Sequence, residues 1–132
     1  MEAFLDFDEL HQVMLIRFAG RVTDEVLLSH FQRVRGWLTA HGPCSSITDF
    51  SDVTSFEVTA QAVRQLAAGA PLVPNDFLRV VIAPQDEVFG MVRMFEMLGS
   101  ATRDRVYIVR TISEAYEVTG IDSPGFRPVL NL

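Results

Sequence analysis

Lysine is missing altogether from this chain of 132 residues, so its eleven basic side chains are all arginines. Set against seventeen carboxylates they leave a net charge of −6. That balance disfavours nucleic-acid binding, which needs positive charge clustered against phosphates; the lack of lysine is attributed to genome composition. Cysteine occurs once, at Cys44. An internal disulfide is excluded and no cysteine zinc site can form, so a reducing compartment is expected. Of the two readings of Cys44, an unreactive side chain is favoured over a reactive thiol. Apolar runs also stay short of the roughly 20 residues needed to cross a bilayer, and the acidic start MEAFLDFDEL lacks the basic region of a signal peptide. The expectation is a cytoplasmic, soluble protein with no integral membrane segment.

The motifs of common chemistries are absent too. No G-x-G-x-x-G or G-x-x-x-x-G-K surrounds Gly90, and no G-x-S-x-G is present. His11, His30 and His41 have no metal-ligand spacing to one another or to Cys44. No catalytic residue, metal or cofactor is therefore expected, and the chain is not read as an enzyme.

What is present is a chain long enough for one domain with a real core. Residues 45–66, SSITDFSDVTSFEVTAQAVRQL, organise it. Their order predicts a strand over about 45–50, a turn at Ser51, Asp52, Thr54 and Ser55, and a helix capped by Thr59 and closed by Gly69 and Pro71. Upstream, Ala3 to Asp8 and Gln12 to Ala19 read as a hairpin ended by Gly20, with Ala3 to Asp8 as an antiparallel edge. Thr23 then caps a helix that Gly42-Pro43 terminates. Downstream come a strand over Phe77 to Ala83, a helix from Gln85 to Leu98 with Pro84 in its first turn, a strand over Arg105 to Arg110, and a helix opened by the Thr111 to Glu114 capping box and closed by Gly120. The tail from residue 121 has no clean period and is expected either to lie on the body or to be partly ordered.

This alternation predicts an α/β domain over residues 1–120, with a mainly parallel sheet of about five strands and four helices. It resembles the STAS fold, that of bacterial anti-sigma-factor antagonists and of the cytoplasmic domains of sulphate transporters. The specific part of the resemblance is ITDFSDVTSFEVTA, residues 47–60, where Asp49, Ser51, Val53 and Thr54 match the pattern. In the antagonists the helix start carries Asp-Ser-Ser/Thr-Gly with a phosphorylatable serine. Here it reads Glu57-Val58-Thr59-Ala60, which leaves Thr59 as the possible phospho-acceptor and no working serine switch. The blocks from Arg79 and from Arg105 are more similar to single-domain STAS-like bacterial proteins.

Three sets of candidate residues follow. Asp49, Asp52, Thr54 and Glu57 are expected at the carboxyl end of the central strand, where open α/β sheets place ligands and partners; solvated turn carboxylates are the plainer alternative. Phe89, Met91, Arg93 and Phe95 lie on a helix apolar nearly all round, which suits either a dimer interface or simple burial. Phe89, Met91 and Phe95, joined by Phe126 of the tail, could instead line an apolar pocket. The first expectation is a non-enzymatic regulatory module that docks a protein partner and forms a homodimer; the alternative is a small-ligand or lipid-binding domain with its pocket near residues 88–98.

Overall fold

The computed structural model describes residues 2–129. A hairpin of β1 (Ala3–Asp8) and β2 (Val13–Thr23) is followed by α1 (Asp24–His41), β3 (Ser45–Glu57), α2 (Ala60–Ala68), β4 (Arg79–Ile82), α3 (Asp86–Leu98), β5 (Tyr107–Val109), α4 (Ile112–Thr119) and β6 (Arg127–Pro128). Through α4 this is the order that periodicity and caps predict. The strands form one mixed sheet in the order β5-β4-β3-β2-β1-β6, with β2 to β5 mutually parallel. β1 is not the edge. The tail folds back so that β6 pairs antiparallel with β1, and Val129 N–H donates to Leu5 O at 2.9 Å.

β2 and β3 are longer than local signals suggest. Gly20 does not stop β2; it takes φ 70 inside the strand, at one of two register shifts against β3. Residues 51–55 accordingly form no turn, because Ala19 to Thr23 supply a partner ladder for Asp52 to Glu57. Cross-strand pairing overrides the turn preference of the serines and aspartates. β1 follows β2 only as far as Phe18, and β4 follows β3 only as far as Asp49. The rest of β2 and β3 therefore stands beyond the sheet as a two-stranded ribbon.

Alternation along β2 separates two cores. Met14, Ile16 and Phe18 face α1, α2 and α3, with Phe18 stacked on Phe50 at 5.2 Å between ring centres. Val13 and Leu15 face the opposite way and join Ile47, Val80 and Ile82 under Ala115 of α4 and Ile121 of the tail. Three helices thus cover one face, and α4 with the returning tail covers the other.

The caps follow the sequence closely. Thr23, Thr59 and Thr111 accept from Val26 N–H, Ala62 N–H and Glu114 N–H. At α3 the cap is Gln85, so Pro84 precedes the helix instead of opening its first turn. The Gln85 amide donates to Phe50 O at 2.9 Å and Val53 O at 3.1 Å, which ties α3 to the start of the ribbon. Most of the apolar surplus of α3 up to Phe95 is also covered. Val88 and Val92 are buried, while the guanidinium planes of Arg110 and Arg103 lie 3.9 Å and 4.8 Å from the ring centres of Phe89 and Phe95. Arginine suits this role because its flat, weakly hydrated cation stacks on an aromatic face.

Candidate functional site

The expected carboxylate cluster is strung out along β3 and does not converge. Asp49 sits in the sheet beside Arg17 and accepts from Ser51 N–H and Oγ at 2.8 and 2.6 Å. Asp52 lies three residues on, roughly 10 Å along an extended strand. Asp52, Thr54 and Glu57 are exposed on the ribbon. Glu57 is gripped by Arg21 through two hydrogen bonds of 2.6 and 3.0 Å; that pairing, helped by Ser55, pulls its carboxyl down to about 2. Thr59 is committed twice over: it caps α2 and its hydroxyl donates to Asp24 at 2.7 Å. A phosphate at Thr59 would stand against the Asp24 carboxylate and break that bond.

The α3 candidates divide. Phe89, Met91 and Phe95 are half-buried and pack against the main core, whereas Arg93 is exposed with only a long 3.9 Å contact to Glu96. Met97 and Leu98 are the exposed large apolar side chains of this helix. Phe126 is on the opposite side of the sheet, stacked on Tyr116 at 6.4 Å, so it cannot share a pocket with Met91 and Phe95.

Met91 and Phe95 do line a cavity. It measures about 140 Å³ and lies between the sheet and α1, α2 and α3. Its wall takes Leu27 and Phe31 from α1, Phe50 and Phe56 from β3, Val63 and Leu66 from α2, and Val92 from α3. The polar groups on it are those that sequence reasoning missed: Ser46 and Thr48 on the sheet, and Arg35, Arg79 and Arg103. One hint existed, an arginine opening the β-branched run RVVI, where a buried strand ordinarily carries none. Arg79 is buried and donates to Val73 O, Asn75 Oδ1 and Arg105 O. Arg103 is buried as well and donates to Leu66 O, Ala67 O and Gly69 O, carbonyls at the end of α2. Gly99 leaves it room, since a Cβ there would come within 2.8 Å of its Nη1.

A wider cleft of about 860 Å³ opens between Phe7 to Gln12, the end of α1 and the tail up to Val129, the last described residue. Cys44 on its wall is buried, and burial pushes its thiol up, away from reactivity. His41 lies on Trp37, with ring centres 4.5 Å apart, and its Nδ1 is 3.0 Å from Trp37 O. Among the described residues no three His, Cys, Asp or Glu side chains are grouped to hold a metal ion, and no helix is long and apolar enough to cross a membrane. Compared with known proteins, the chain matches no family model, no curated protein and no solved structure.

Proposed function

We propose that this is a non-enzymatic binding domain that takes a small apolar or amphiphilic molecule into the cavity between the sheet and α1 to α3. The observation that carries the reading is the cavity itself. Protein interiors pack like organic crystals and hold few voids larger than a water molecule, yet a half-open cavity of about 140 Å³ with mainly apolar walls reaches in between the sheet and the helices here. A void of about 150 Å³ lined by aliphatic and aromatic side chains stays dry and accepts benzene. The elements around it support a STAS-like regulatory domain in their order alone, and a ligand held between the sheet and three helices could bias how those helices sit. Titration with benzene, followed by calorimetry and by the melting temperature, tests this directly. Uptake by the wild type and its loss in Val63→Phe, which fills the space, is the expected result; a wild type that takes up no benzene would sink the reading.

A second reading, a protein partner docking at the β2/β3 ribbon, is favoured by the way Asp52, Thr54 and Glu57 stand exposed beyond β1 and β4. Unpaired strand edges there would accept an added strand. Native mass spectrometry of gently purified protein reads both possibilities, as a second chain or as a small-molecule adduct. A homodimer seam on α3 would have to use Arg93, Met97 and Leu98, so Met97→Glu would dissociate it without disturbing the core.

A further inference from the structure

The cavity has a charged end. Arg79 opens β4 directly opposite Ser46 in the strand register, and Arg35 and Arg103 share the same wall. Arg79 is 8% exposed and Arg103 7%, and neither donates to a carboxylate among the described residues. Asp104 acts on Arg79 through space without a hydrogen bond. The three guanidinium groups are close enough that Arg79 and Arg35 both disfavour the charge on Arg103, in addition to its burial. Buried charge of one sign is costly unless paired.

Donors also remain unused. Arg35 spends Nη2 on Ala70 O at 2.8 Å, leaving its Nε and Nη1 without partners among the described residues. The Nε of Arg103 is in the same position. On the sheet floor, Ser46 and Thr48 are only 5% and 7% exposed and turn their hydroxyl-bearing side chains to the cavity wall. Together these groups form an apolar slot closed at one end by hydroxyls and by guanidinium groups that face no paired anion.

Resting on the cavity reading above, we infer that the occupant is a small carboxylate, with a hydrocarbon part of about six carbons in the slot and its anionic head at Arg35, Arg103 and Ser46. The size follows from the benzene-sized void. The charge follows from the guanidinium fork of Arg35, which spends only Nη2 on the protein and matches a carboxylate in a pair of parallel hydrogen bonds, with Arg103 Nε beside it.

Hexanoate and hexan-1-ol, matched in chain and differing in head charge, separate the two levels of the argument when titrated calorimetrically into wild-type protein and into Arg35→Gln and Val63→Phe. Arg35 is exposed, so Arg35→Gln retains the fold. The expected result is that hexanoate binds the wild type about tenfold or more tighter than hexanol, as a charge-assisted hydrogen bond is worth. Arg35→Gln should then weaken hexanoate by a similar factor and leave hexanol unchanged, while Val63→Phe loses both. Equal binding of the two probes, or tighter binding of hexanol, overturns the carboxylate inference and leaves the cavity reading standing. Binding of neither overturns both.

Discussion

His30 is the residue whose position in the sequence says least about its situation in the fold. It sits mid-helix in α1, fully buried, edge-on to Phe18, with Nε2 2.9 Å from Phe4 O. A carbonyl only accepts, so Nε2 carries the proton and Nδ1 is left as a buried acceptor with no partner. Burial therefore holds the imidazole below its ordinary 6.5, against the contrary pull of the Phe4 hydrogen bond. In the pH range between the lowered value and 6.5 the unfolded chain binds a proton that the folded chain refuses. The His30 contribution is thus complete above that range and is lost as the pH falls through it. Urea midpoints should drop as the pH falls below the ordinary imidazole value of 6.5, and His30→Gln, which keeps a donor for Phe4 O without titrating, should flatten the slope. An unchanged slope in the variant would show that His30 is not the group responsible.

Among the elements, the clasp between the starts of α1 and α2 combines two uses of one side chain. Asp24, in the first turn of α1, receives both the N–H and the hydroxyl of Thr59 at 2.7 Å, while the same hydroxyl caps α2. Thr59→Ala should cost about 1 kcal/mol from the cap, and more through the lost link to Asp24. Because the residues act as a pair, Asp24→Ala and Thr59→Ala should fall short of additivity by about 0.5 kcal/mol or more in a double-mutant cycle of chemical denaturation. Strict additivity would mean that the cap alone matters. The caps themselves could be read from the sequence, since threonine before an apolar helical stripe is a local signal. The clasp could not, because it joins positions 35 apart.

For the molecule as a whole, the tail is part of the fold and no appendage. Ile121 is buried in the second core, Phe126 stacks on Tyr116, and β6 extends the sheet beside β1. Gly125 N–H donates to Asp8 at 2.9 Å, and Asp8 is itself buried beneath the hairpin. Burial opposes ionisation of this carboxyl, but the hydrogen bonds from His11 and Gly125 together outweigh it and hold it below the ordinary value of 3.8. That support is present above 3.8 and disappears as the pH falls through the lowered value. A chain ending at Gly120 should lose about 3 kcal/mol or more, from the exposed second core and the unpaired β1 edge. It should also bind a dye for apolar surface. Retention of the full urea midpoint would show that α4 alone covers that face.

The sequence by itself determined the succession of elements through α4, the threonine and glycine caps and the α/β class, because each rests on period, branching or capping within a few neighbouring residues. Only the tertiary structure decided the rest. Turn-forming residues 51–55 became strand once β2 lay beside them, and a tail without period became a strand once β1 offered its edge. The proposed binding end lies at arginines that no motif joins, away from the carboxylates of β3. Arg103 reaches Ala67 across 36 positions, Arg35 reaches Ala70 across 35, and Arg79 folds under its own loop to Val73. A cavity is the space that non-neighbouring side chains leave unfilled, and its volume is fixed only when the helices settle on the sheet.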